Sequence, residues 1–218
     1  MHPNPVFRSR PPAANIDFAR ERGFGVVSVN GNIGPLAVHV PFVLSDDGET
    51  VLMHLMRSNP LMSVLSQPLP ALLTVSGPDG YVSPDWYGVP DQVPTWNYVA
   101  VQLRGHLERL PDERLEDVLD TLTERFEAPL ASKTPWRAEK MTPDLRSRMM
   151  RAIVPVRLVI EEVSGTWKLS QNKPEAVRLA AADAVGGGQG QELDALSALM
   201  RHLPEDPPMD VDRSDEQT

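Results

Sequence analysis

Apolar and polar residues alternate at period two along much of this chain. In "LAVHVPFVL" (36–44), Leu36, Val38, Val40, Phe42 and Leu44 fall on one side and Ala37, His39, Pro41 and Val43 on the other. In "VPTWNYVAVQLRG" (93–105) and just beyond it, Val99, Val101, Leu103 and Leu107 share one face, while Tyr98, Gln102, Arg104 and His106 share the other. One face reads as core, the other as polar surface or ligand wall. "FGVVSVN", "VLMHLM", "PALLTVSG", "GYVSPDWYG" and "AIVPVRLVIEEVSG" add further strands, with turns at "GNIG", at "SDDGE" and between "PALLTVSG" and "GYV". Pro41 has no N–H to donate, so its strand belongs at an edge or contains a bulge.

Helical spacing is clearest in "PDERLEDVLDTLTERFE", where Leu115, Val118, Leu119, Leu122 and Phe126 follow i, i+3, i+4, i+7 and i+11. Shorter helices are expected from Asn15 to Arg22 with Gly23 as the stop, after a Ser58 or Asn59 cap with Pro60 in the first turn, over 143–151, and from about Lys173 and Pro174. "GGGQGQ" (186–191) follows a helix rather than a strand and reads as a hinge, not a dinucleotide fingerprint. Six or seven short strands interrupted by helices predict a mainly β domain with flanking helices, an antiparallel barrel closed or partly closed. The expected division is a barrel domain over 1–185, a Gly-rich hinge and C-terminal helix over 186–203, and an acidic, disordered tail over 204–218.

Composition narrows the chemistry. The 218 residues contain 22 prolines, 14 glycines and no cysteine, which excludes disulfides, thiolate nucleophiles and Cys-bound metal. The five histidines show no metal-ligand spacing, and no serine sits in a G-x-S-x-G elbow. No run approaches the ~20 apolar residues of a membrane span, and the first residues lack the apolar core of a signal peptide, so a soluble cytoplasmic protein is expected. The net charge is −9, of which −5 lies in the final "PEDPPMDVDRSDEQT", so the remainder is only mildly acidic. Nucleic-acid binding relies on a basic footprint. The one basic stretch runs from 133 to 151, with Lys133, Arg137, Lys140, Arg146, Arg148 and Arg151 against Glu139 and Asp144. It reads either as a solvated helical face or as a site of DNA contact.

Two stretches suggest a ligand. In "MHLMRSNPLM" a strand delivers Arg57 to a capped helix start, where free N–H groups and a planar guanidinium suit a phosphate. The alternative is a surface arginine beside an ordinary cap. "SPDWYG" and "VPTWNY" bring together Trp86, Tyr87, Trp96 and Tyr98 in a chain of 6 % aromatic content. Rings interleaved with Asn97 and Gln102 offer a flat heteroaromatic ligand both packing surface and amides. The same tryptophans could equally plug a barrel end.

"VHVPF", "MHLMRSNP", "GPDGYVSPDWY", "VPTWNYVAVQLRG" and "GTWKLSQNKPEAVR", in this order, resemble the PaiB-type FMN-binding negative transcriptional regulators. The resemblance runs from about Pro5 to Leu179. It implies a fold of the FMN-binding split β-barrel group, which includes pyridoxamine phosphate oxidases and flavin reductases and usually places FMN at a homodimer interface. It also implies a ligand set: Arg57 on the phosphate with help from His54, Ser58 and Asn59; Thr95, Trp96, Asn97 and Gln102 along the flavin; and Lys168, Ser170 and Gln171 from "KLSQN", contributed by the second subunit. Two functions stay open on the residues alone, a flavin-binding transcriptional regulator and a flavin oxidoreductase, and no catalytic residue is identified.

Overall fold

The computed structural model describes residues 2–204. The acidic tail therefore lies outside the described residues except for Pro204. The strands are β1 (Phe24–Gly31), β2 (Gly34–Pro41), β3 (Val43–Leu44), β4 (Thr50–Met56), β5 (Leu69–Val82), β6 (Thr95–Arg109), β7 (Ile153–Lys168) and β8 (Gly190–Gln191). The helices are α1 (Pro12–Arg22), α2 (Leu115–Glu127), α3 (Pro143–Met150), α4 (Glu175–Val185) and α5 (Leu193–Arg201). One sheet holds all eight strands in the order β2-β1-β5-β6-β7-β4-β3, with β8 on β5. The registers of β1 with β2 and β5, of β4 with β3 and β7, and of β5 with β8 are all antiparallel. The expected mainly β, antiparallel architecture with flanking helices is found. Among the described residues no helix is long and apolar enough to cross a membrane.

The chain forms two compact units, and β5, β6 and β7 contribute residues to both. The first comprises Asn15–Ser76 and Val101–Ser164. Its core takes the apolar face of every strand: Val27 and Val29, Val40 and Phe42, Val51, Met53 and Leu55, Leu73 and Val75, Val101, Leu103 and Leu107, and Val154, Val156 and Leu158. Within this unit β2, at one end of the strand order, packs against β4 near the other end. The sheet thus curls and closes partly by side-chain packing rather than by a full hydrogen-bond ladder. Leu52, on the opposite face of β4 from Val51 and Met53, packs with Val43 against Val118 and Leu122 of α2. As expected for a strand containing Pro41, β2 is an edge strand, and just past it Phe42 N–H still donates in the same register, to Gly23 O at 2.8 Å.

The second unit comprises the residues up to Ala14, Gly77–Ala100 and the chain from Gly165 onward. In it α4 packs on α5 and on the 3-10 turn Pro84–Tyr87. Arg178, buried on α4, donates to the carbonyl of Met200 and, at 3.1 Å, to that of Arg201, so it satisfies the free C-terminal carbonyls of α5. β8 pairs Gly190 with Gly80 and Gln191 with Asp79. Gly190 has φ +154°, and a Cβ there would lie 2.2 Å from Asp79 O, so only glycine permits this approach.

Three expectations are corrected. "GPDG" (77–80) is not a turn: β5 runs straight through it, and its Asp79 and Gly80 are paired by β8. The strands are not uniformly short, since β5, β6 and β7 have 14, 15 and 16 residues. Helix α1 starts at Pro12, where a proline's missing N–H has no intrahelical partner anyway, and Asn15 is buried inside it instead of capping it.

Candidate functional site

Each compact unit gathers its own group of the residues singled out by sequence. In the first unit, β4 ends at Met56 and delivers Arg57, Ser58 and Asn59 to a four-residue 3-10 turn, Pro60–Ser63. This is shorter than the helix expected, so the macrodipole contribution falls away. Asn59 does cap it: its Oδ1 accepts from Leu61 N at 2.9 Å, which leaves the Asn59 NH2 as the donor end of the side chain. Arg57, 43 % exposed, donates from Nε to Arg151 O (3.1 Å) and from Nη2 to Ile153 O and Asp112 Oδ2 (both 3.2 Å). Asp112 is held more closely by Arg109 at 2.7 Å. Its carboxyl lies below the usual carboxylate range first because of the Arg109 hydrogen bond, with Arg57 contributing less. Arg57 can therefore turn toward an incoming dianion without leaving Asp112 unpaired.

His54 lies on the β4 face opposite Met53 and Leu55, in register with Pro155, which has no N–H. Its Nδ1 is buried without a hydrogen-bond partner among the described residues, and burial lowers its pKa, which favours the neutral ring. The stretch thus presents a guanidinium, a hydroxyl and an amide, with His54, its Nδ1 buried, on the strand that leads into it. That donor set fits phosphate oxygens. Gln102 belongs to this unit as well, half-buried on β6.

In the second unit, the start of β6 meets the end of β7 and the loop after it. Lys168 Nζ bonds Thr95 Oγ1 and lies 6.0 Å from the Phe7 ring, and burial lowers its pKa. Asn97 is 0 % exposed; its amide donates to Ser170 Oγ (2.8 Å) and to Met200 Sδ (3.5 Å), and Ser170 Oγ shares a 3.0 Å hydrogen bond with Tyr87 OH. Asn97 Oδ1 has no hydrogen-bond partner among the described residues. Ser170 itself has φ +62°, in the left-handed region. Gln171 closes the loop locally, accepting from Leu169 N (2.8 Å) and donating to Trp167 O (2.5 Å) and Val6 O (3.2 Å). Trp96 is 41 % exposed, donates to Asp79 Oδ1 at 3.0 Å, and meets the edge of Tyr81, which in turn meets Trp86.

Alternation separates residues that were grouped together. Asn97 shares the buried side of Val99, whereas Trp96 and Gln102 point the other way. Thr95, Asn97, Lys168 and Ser170 are brought together within one unit, and His54, Arg57, Ser58 and Asn59 within the other. Sequence reasoning missed Asp112 and Asp79. No local signal pairs either with its partner, since Asp112 lies 55 residues from Arg57 and Asp79 lies 17 from Trp96. The basic stretch is also altered by acids of α2: Lys133 pairs with Glu127, six residues before it, and Arg146 with Glu116, thirty before it.

The partly closed antiparallel sheet is a split β-barrel, a fold shared with solved flavoproteins. The FAD and heme binding protein from Mycobacterium smegmatis superposes with a TM-score of 0.54 at 20 % identity, covering 74 % of this chain and 73 % of that one. The flavocytochrome Anf3 from Azotobacter vinelandii gives 0.55 at 18 %, covering 77 % and 72 %. The profile of the family described as "Putative FMN-binding domain" matches residues 1–162, and the chain belongs to that family, whose cofactor is FMN. Protease synthase and sporulation protein PAI 2 of Bacillus subtilis is 27 % identical over 186 residues, covering 84 % of this chain and 88 % of the relative. The matched region takes in the Arg57 stretch and the β6 entrance but stops before Lys168, Ser170 and Gln171.

Proposed function

We propose that this chain is an FMN-binding negative transcriptional regulator of the PaiB type, acting in the cytoplasm as a homodimer with FMN at the subunit interface. The observation that carries the reading is the family match over residues 1–162. The likeness to PAI 2 along most of both chains supports the same reading. Arg57 is the phosphate anchor, assisted by Ser58, Asn59 and His54, because this stretch offers the donor set a phosphate requires. Trp96 packs against the flavin ring, and its partly exposed indole suits that contact. Thr95 and Gln102 offer polar contacts to the flavin. Lys168, Ser170 and Gln171 act on the same side of the site as Thr95 and Asn97, to which Lys168 and Ser170 are bonded within the chain; Asn97 and Ser170 act by shaping the wall, since their mutual bond is buried.

DNA contact falls to the part of 133–151 that internal acids do not neutralise. With Lys133 and Arg146 paired inside the chain, Arg137, Lys140, Arg148 and Arg151 remain. The test is fluorescence anisotropy of DNA from upstream of the chain's own gene, at several salt concentrations, with parent protein and an Arg148→Ala/Arg151→Ala variant. Saturable binding that weakens with salt, with a shallower salt dependence in the variant, is expected. Absence of DNA binding, combined with steady oxidation of reduced nicotinamide faster than with FMN alone, would overturn the regulator and make the protein a flavin oxidoreductase.

A further inference from the structure

Two adjoining cavities lie beside α2, and the carbonyl of Ile153, a wall residue of the smaller one, accepts from Arg57 Nη2 at 3.2 Å. One, of about 190 Å³, is mostly apolar, with Leu119, Met141, Met149, Met150 and Ile153 in its walls beside the mutually paired Glu116 and Arg146. The other, of about 320 Å³, is lined by Asp120, Glu124, Glu127 and Glu139 against the single cation Arg137. Trp136, Asp120, Thr123 and Ala138 line both, so an apolar chamber opens beside an acidic one with an indole at the junction.

The acids come from a stripe on α2. Glu116, Asp120, Glu124 and Glu127 are spaced i, i+4, i+8 and i+11 and so share a face, and like charges four apart repel. The segment that folds over this face neutralises the two ends of the stripe only: Arg146 takes Glu116 and Lys133 takes Glu127. Glu127 also accepts from Trp136 N at 2.7 Å, which fixes the indole's backbone at the junction. Asp120 and Glu124, in the middle, have no ion pair among the described residues. The charge pattern therefore lacks one cation at the place where an apolar chamber and an aromatic ring already stand.

We infer that these cavities form a binding site for a small organic ammonium ion with an apolar body, the chain lying among the methionines and the ammonium between Asp120 and Glu124 beside Trp136. Methionines adapt to varied apolar shapes, and an indole favours a cation near its face. Charge complementarity excludes an anion, and the volume of the apolar chamber limits the body to a short chain or a single ring. The inference does not depend on the flavin reading.

The test is calorimetric titration of the full chain with hexylammonium chloride and, in parallel, with 1-hexanol. Saturable binding of the amine, with the alcohol about tenfold weaker or more, is expected. Asp120→Asn/Glu124→Gln, which changes exposed groups nearly isosterically, is expected to weaken the amine about tenfold and leave the alcohol unchanged. Leu119→Gln is expected to weaken both. No saturable amine binding, equal affinity for amine and alcohol, or parent-like amine affinity in the double variant would each overturn the site.

Discussion

Replacing Arg57 with alanine isolates the phosphate contact. In the parent, the guanidinium is 43 % exposed and its bonds go to two carbonyls and to Asp112, which Arg109 holds in any case. Exposed pairs of this kind are worth about 0–1 kcal/mol, so the fold is expected to survive the substitution. A charge-assisted bond to phosphate contributes about 1.5–3 kcal/mol, which corresponds to a ten- to hundredfold loss of FMN affinity, roughly. Riboflavin carries the same ring without the phosphate and is expected to lose little. Arg57→Lys is expected to recover only part of the loss, because an ammonium keeps the charge but not the two-pronged geometry. Quenching of flavin fluorescence, measured for both ligands on all three proteins, reads these differences directly. Parent-like FMN affinity in Arg57→Ala, or an equal loss of FMN and riboflavin, would refute the anchor.

Trp96→Ala is expected to weaken FMN and riboflavin together, since the indole contacts the ring common to both; a loss confined to FMN would contradict this. Arg178→Met removes the donor to two carbonyls from a guanidinium only 8 % exposed, and a cost of about 2–4 kcal/mol in urea unfolding is expected, with faster amide exchange in α5; a change below about 0.5 kcal/mol would show that the carbonyls are satisfied without it. His54 is held neutral by burial, with its folded pKa below 6.5, so its contribution to stability is complete above pH 6.5 and is lost as pH falls through the folded value. Stability of the parent is therefore expected to fall more steeply than that of His54→Gln between about pH 7 and 5, and parallel curves would contradict the assignment.

How far the sequence carried the fold depended on whether the deciding contact was local. The period-two faces of β2 and of the inner part of β6 are as expected, because alternation is a property of consecutive residues. In α2, Leu115, Val118 and Leu122 are buried where the helical spacing places them, while Leu119 is half-buried and Phe126, at the end of the same face, is exposed. "GPDG" has strong local turn chemistry, yet it is extended because β8, more than 100 residues later, pairs with it. No window of sequence contains that partner. The candidate site divides in the same way. Asn59 caps its turn as its neighbours suggest, but whether Arg57 is a free cation depends on Asp112 and on the carbonyls of Arg151, just after α3, and Ile153, at the start of β7. The burial of Asn97 was within reach, since it has the same parity as Val99; grouping it with Trp96 set that alternation aside. Two of the six cations of 133–151, Lys133 and Arg146, are answered from α2, a pairing that the stretch itself does not contain.

FMN binding itself is the central claim, and titration of the full chain with FMN, followed by visible absorption and flavin fluorescence with riboflavin in parallel, tests it most directly. Saturation at one FMN per chain, with a shifted flavin spectrum and riboflavin about tenfold weaker or more, is the expected result. A spectrum that stays that of free FMN at every ratio would contradict it.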